Sequence, residues 1–273
     1  MSSVSALPAL LIADLVAEFA DANTIGVLLA GSYARGDATS HSDIDLIRFA
    51  SALPKADADR YTLAYREGIL VSLSTTTVDA KRAELGRPET AIWAAPGLRQ
   101  ARILLDRDGA LAALLGEARD FRWEPLQAEA DVYASYNVMG LAEEVHKVLG
   151  ALERADESAA LNATWALVAG LSRAVIVQRG VLIRTENAYF QQAQEAAGLG
   201  SAWLRAFRVA AGFEALPASV SPVMARASAA LRLHHETATL LSSALQSQHF
   251  GVIRGALARI DASGLVREGE WGM

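Results

Sequence analysis

The chain has no cysteine among its 273 residues. That absence excludes disulfides, thiolate metal sites and a cysteine nucleophile, and nothing in it calls for secretion. Basic residues are in the minority. There are 25 Lys and Arg against 31 Asp and Glu, a formal net charge of −6 with His neutral. Both halves share that balance and no basic tract stands out, so a nucleic-acid backbone is not expected as a partner, whereas a cationic small molecule would be attracted. Long apolar runs are scarce as well. Residues 6–16 have the apolar character of a signal-peptide core but no basic start, and Asp14, Glu18 and Asp21 follow at helical spacing, which predicts an amphipathic first helix over 8–20. No other stretch is read as a membrane span, so no membrane partner is expected and the predicted location is the cytoplasm.

What is present is a concentrated motif. Residues 24–30 are mostly aliphatic and β-branched, which suits a buried strand, and Gly31 then allows a sharp turn where a side chain would obstruct an approaching group. Ser32 is read as the N-cap of the helix that follows, and a helix start after Gly31-Ser32 offers free backbone N–H groups to a phosphate. Downstream stands Ser42-Asp43-Ile44-Asp45-Leu46. Side chains alternate along a strand, so Asp43 and Asp45 share one face while Ile44 and Leu46 face the core. Two carboxylates on one spot call for a divalent cation, and Mg²⁺ holding substrate phosphates is the usual occupant.

A two-metal site would normally take a third carboxylate from the neighbouring strand, read here over 69–74. None is present. Ser72 occupies the facing position, with Val71 as the one-residue alternative. Glu67 and Asp79 lie at the two ends of that strand, neither of them well placed.

The Gly31-Ser32 … Asp43-Ile44-Asp45 arrangement resembles the signature of the polymerase-β-like nucleotidyltransferases. The order of the remaining elements resembles the kanamycin nucleotidyltransferase family within that group. The resemblance implies an α+β protein: a nucleotidyltransferase domain over 1–124, built on a small mixed sheet with helices, then an all-α helical bundle over 125–273. It implies ATP or another nucleoside triphosphate as co-substrate, with phosphates over Gly31, Ser32, Arg35 and Ser42, and Mg²⁺ on Asp43 and Asp45. It also carries a general-base role onto Glu143, a phosphate contact onto Lys147 one turn later, and a position near the nucleotide onto Thr185. The implied acceptor is a hydroxyl of a small cationic molecule such as an aminoglycoside, with a homodimer admitted. Read for themselves, Glu143 and Lys147 are an i,i+4 pair of the kind that forms ordinary surface ion pairs, and Glu144 is a rival for the base.

Between motif and bundle the sequence predicts helices over 54–66, 78–86 and 110–119, and a strand over 101–108. Asp106 and Asp108 precede Gly109 and are read as a turn rather than a second metal pair. The residues around Phe121, Trp123 and Pro125 read as a joint. Beyond it, three- and four-residue apolar spacing predicts helices over 126–152, 159–179, 187–197, 202–211 and 223–246, with a frayed end after Ala262. The His residues show no metal spacing, and Tyr133, Tyr136, Trp165 and Trp203 are read as core before pocket. Two other functional classes stay open: a protein-modifying adenylyltransferase of the antitoxin type, and a nucleotide-binding pseudoenzyme, which Ser72 would favour.

Overall fold

The computed structural model describes residues 9–218 and 221–265. Residue 8 of the first predicted helix, and the predicted frayed end from 266 onward, lie outside them. The chain divides into two compact units, Met1–Trp123 with Leu182–Thr185, and Glu124–Val181 with Glu186–Met273.

The first unit is built on a five-stranded sheet: β1 (Thr24–Ala30), β2 (Ile44–Ala50), β3 (Tyr61–Arg66), β4 (Ile69–Thr76) and β5 (Arg102–Asp106), in the order β3-β4-β2-β1-β5. Only the β2/β4 pair is parallel. Alternation assigns each residue to a face. Val27, Leu29, Ile44, Leu46, Val71 and Leu73 pack on Leu11, Ile12 and Leu15 of helix α1 (Ala9–Phe19). On the opposite face Leu28 and Phe49 pack against Leu98 of α4 (Pro88–Gln100) and Leu111, Leu114 and Leu115 of α5 (Ala110–Asp120). Each such fully buried aliphatic side chain contributes roughly 1.5–3 kcal/mol, and β1, buried on both faces, reads as a near-continuous apolar run.

Between these strands lie α2 (Gly31–Arg35), which ends on Gly36 in the left-handed region, and, further on, α3 (Val78–Leu85), capped by the Thr77 side chain. The helix expected over 54–66 does not form. A 3-10 turn over Asp57–Arg60 leads into β3, and a tight turn at Glu67-Gly68, both with positive φ, returns the chain as β4. Tyr61, Leu63 and Tyr65 have a period of two, and a two-residue loop with φ positive at both positions matches the twist of a hairpin. Asp106 and Asp108 accept hydrogen bonds from the amides of Ala110, Leu111 and Ala112, so both carboxylates cap α5.

Helix α4 carries Pro96 in its interior, and a proline has no amide to give to the carbonyl four residues earlier. That carbonyl, Ile92, accepts instead from the amide of Ile183 at 2.8 Å. The gap left by Pro96 thus ties the segment Leu182–Thr185 to the first unit.

Among the described residues the second unit has helices and no strand: α6 (Gln127–Gly140), α7 (Ala142–Glu153), α8 (Glu157–Gln178), α9 (Tyr189–Ala197), α10 (Ala202–Ala210), α11 (Pro222–Leu240) and α12 (Phe250–Ala262). The single helix expected over 126–152 is divided in two at Leu141, whose ψ of −5 lies off the helical value. Helix α8 packs on α6, α7 and α11. By length and composition it could cross a membrane, yet 61% of its apolar stretch is buried inside the bundle. Trp203 and Phe207 stack at 5.0 Å in the core, and the indole donates to the Thr237 hydroxyl at 2.8 Å.

Candidate functional site

Three adjacent strands bring the motif residues together. In register, Ala30 of β1 faces Asp45 of β2, and Asp45 faces Ser72 of β4. All three therefore lie on the face opposite α1. The Ser72 hydroxyl donates to Asp45 Oδ1 at 2.7 Å, so the serine in the place of the third carboxylate fixes the second aspartate. The other carboxylate oxygen lies over Gly31. A Cβ built there would stand 1.9 Å from Asp45 Oδ2, and Gly31 has φ +64. Glycine is thus required at this position twice over, by backbone conformation and by the closeness of the carboxylate.

Asp43 lies one residue ahead of β2, two positions from Asp45, with fully buried Ile44 between them. It forms no ion pair with a basic side chain among the described residues. Asp45, oriented by a neutral donor, and Asp43 just ahead of the strand are hard carboxylates that could hold a divalent cation, with substrate phosphates supplying its remaining ligands. Among the described residues no cluster of three or more His, Cys, Asp or Glu forms a ready-made metal cage. Glu67 sits in the β3/β4 turn, and Asp79 pairs with Arg82 at 2.8 Å, so neither carboxylate is drawn to Asp45.

Ser32 is not the cap that the sequence suggests. Helix α2 begins two residues earlier than a Ser32 cap would place it, with Ala30 in extended conformation as its capping residue and no side-chain cap, which puts Ser32 inside the first turn. Arg35 closes that helix and is held by Asp37, Nε to Oδ2 at 3.1 Å. Ser42 is engaged in its own loop, where its hydroxyl oxygen accepts the Thr39 amide at 2.9 Å.

The remaining candidates are separated by unit. Thr185 belongs to the segment tied to the first unit, while Glu143, Glu144 and Lys147 lie on α7 of the helical unit. Lys147 Nζ is 2.7 Å from Glu144 Oε1 and 3.0 Å from Glu143 Oε1. Those hydrogen bonds, to Glu144 first and then Glu143, raise the lysine above its ordinary pKa. Glu143 is 75% exposed and Glu144 only 17%, and Glu144 Oε2 is buried without a hydrogen bond. The rival carboxylate therefore has the more unusual surroundings. Helical spacing alone does not distinguish neighbouring residues; the burial of α7 does.

The Gly31 turn and the Asp45 carboxylate fixed by Ser72 are groups that could hold a phosphate and a metal, and comparison with known proteins gives the class. Residues 12–97 match the nucleotidyltransferase domain family, and this part of the chain is a nucleotidyltransferase domain. The chain is 43% identical over 56 residues to a protein of Methanocaldococcus jannaschii that bears the provisional name of protein adenylyltransferase; the match covers 18% of this chain and 38% of that one. A nucleotidyltransferase-like protein from Exiguobacterium sibiricum aligns over 96% of this chain and 81% of its own, with TM-score 0.49 and 17% identity.

Proposed function

We propose that this chain transfers a nucleoside monophosphate, AMP from ATP, to an acceptor hydroxyl with the help of Mg²⁺. The reading is supported by Asp45, oriented by Ser72 beside the Gly31 turn with Asp43 two residues away. Mg²⁺ held by Asp43 and Asp45 would neutralise and orient the nucleotide phosphates. The backbone amides at Gly31 and Ser32 take phosphate oxygens, and Arg35 exchanges Asp37 for the phosphates to offset their charge. The acceptor oxygen bonds to the α-phosphorus, the bond from that phosphorus to the bridging oxygen of the β-phosphate breaks, and pyrophosphate leaves. The resemblance gives the acceptor's proton to Glu143, with Lys147 as a further cation and Thr185 beside the nucleotide.

The acidic balance of the chain favours a small cationic acceptor, aminoglycoside-like in charge and hydroxyl content. Transfer to a protein hydroxyl is the second reading, and the provisional name of the archaeal relative favours it. Incubation with Mg²⁺ and ATP labelled at the α-phosphate, against a panel of aminoglycosides and against a protein extract, separates them. Label on the small molecule supports the first reading and label on a protein the second. ATP binding with no transfer to either would contradict transfer and leave a nucleotide-binding role.

A further inference from the structure

We propose that two copies of this chain associate edge to edge through β3, in an antiparallel strand pair centred on Leu63. The inference stands independently of the acceptor and of the reaction. Among the described residues β3 pairs with β4 alone, so one side of its backbone carries the open hydrogen-bonding groups of an edge strand. Soluble proteins guard such an edge with charges, proline or a bulge. Between Arg60 and Arg66 at its two ends, Tyr61–Tyr65 has none of these, and its register with β4 is regular. Its outward side chains are large and apolar instead: Tyr61, Leu63 and Tyr65 are 55%, 53% and 72% exposed. All three lie on one face, because they pair with Ser74, Ser72 and Leu70 of β4.

The occupant is written into the sequence of the strand. From Arg60 to Arg66 the chain reads Arg-Tyr-Thr-Leu-Ala-Tyr-Arg, the same in either direction except for the two small residues. An isologous antiparallel pair with its two-fold axis at Leu63 sets Tyr61 opposite Tyr65 of the partner subunit, and Leu63 opposite Leu63 of the partner subunit, on a single face. Aromatic pairs directly opposite each other are among the favourable cross-strand contacts. On the other face Thr62 meets Ala64 of the partner subunit without crowding. Arg60 meets Arg66 of the partner subunit there, and the like charges are offset by Glu18, whose carboxylate holds Arg66 within its own chain at 2.7 Å. A partner of unrelated sequence would have to reproduce this spacing; a second copy possesses it.

The pairing has a consequence for the candidate site. Leu63 is in register with Ser72, and Ser72 with Asp45. Joining two edges at Leu63 gives one ten-stranded sheet in which both Asp45 residues lie on the same face, five strand spacings or about 24 Å apart. The stripe of four tyrosines and two leucines then forms a shared apolar floor between the two sites.

The absence of cysteine allows a direct test in the full chain. Opposite Cα atoms in an antiparallel pair are about 4.5–5.5 Å apart, within disulfide reach. Leu63→Cys is expected to give a covalent dimer on mild oxidation, and Leu199→Cys, 84% exposed in the helical unit, is expected not to. Thr62→Cys and Ala64→Cys should each cross-link poorly alone and well when mixed. Sedimentation of the unmodified chain should show concentration-dependent dimers that Leu63→Lys abolishes. A chain that stays monomeric at every concentration, or cross-linking of Leu63→Cys no faster than that of Leu199→Cys, would overturn the proposal and leave the edge to another polypeptide. Single-cysteine cross-linking of the Thr62→Cys and Ala64→Cys mixture decides the matter if Leu63 variants fail to fold.

Discussion

Replacing Gly31 with alanine separates two effects that usually travel together. The new Cβ would stand 1.9 Å from Asp45 Oδ2 and 3.0 Å from the carboxyl carbon, and real contacts of this kind do not fall below 3.0 Å. The carboxylate must therefore retreat by at least 1.1 Å, the difference between those distances. That movement breaks the 2.7 Å hydrogen bond from Ser72. A displacement of about 1 Å in a positioned group costs on the order of 100-fold in rate. Alanine at φ +64 also carries a backbone penalty of about 1–2 kcal/mol, wherever it occurs. Gly36→Ala supplies the control, since Gly36 has φ +83 and nothing within 4 Å of its Cβ position. Both variants should lose the same modest stability in urea denaturation. Only Gly31→Ala should lose magnesium-dependent ATP binding in calorimetry, and with it nucleotidyl transfer. If Gly31→Ala binds as well as Gly36→Ala, the claim that Asp45 depends on the bare turn is wrong.

Three further outcomes can be measured. Ser72→Ala removes the donor to a carboxylate that is proposed to hold the metal; a hydrogen bond to a charged group is worth about 1.5 kcal/mol or more, so magnesium–ATP affinity should weaken by roughly tenfold in the same titration. Pro96→Ala restores an amide that competes for the Ile92 carbonyl, and hydrogen exchange at the Ile183 amide should accelerate, with no change expected in α8. His234 is buried in the helical unit, donates Nε2–H to the Val138 carbonyl at 3.1 Å, and is lowered from 6.5 to about 4, chiefly by burial. The unfolded chain takes up that proton near pH 6.5 and the folded chain only near pH 4, so the stability from keeping it neutral is present above pH 6.5 and falls toward pH 4, by about 3 kcal/mol in all. His234→Gln should flatten this pH dependence in denaturant titrations, and an unchanged slope would refute the assignment.

The central strands and the motif were legible because local and global signals agree there. Residues 24–30 are apolar by burial on both faces, Gly31 marks a turn that no other residue could make, and Ile44 between two aspartates leaves the pair only one direction to point. Strand alternation points to Ser72 with Val71 as the one-residue alternative, and the pairing of Asp45 with Ser72 settles the register. What escaped depends on long-range partners. The edge strand β3 reads as part of a helix because the alternation of Tyr61, Leu63 and Tyr65 is too short a signal by itself, and only the pairing with β4 decides it. α4 was hidden by Pro96, whose cost is met by Ile183 some 90 residues away in the chain. α12 was obscured by short polar stretches on either side. The choice between Glu143 and Glu144 was not legible at all, since adjacent residues on one helix differ only in what the rest of the bundle covers.

The most direct test of the account is calorimetric titration of ATP and Mg²⁺ into the intact chain and into the double variant Asp43→Ala/Asp45→Ala. ATP binding that requires Mg²⁺ in the unmodified chain and disappears in the double variant is the predicted result. Magnesium-dependent binding that survives the loss of both aspartates, or its absence in the unmodified chain, would contradict the placement of the nucleotide site on this face of the sheet.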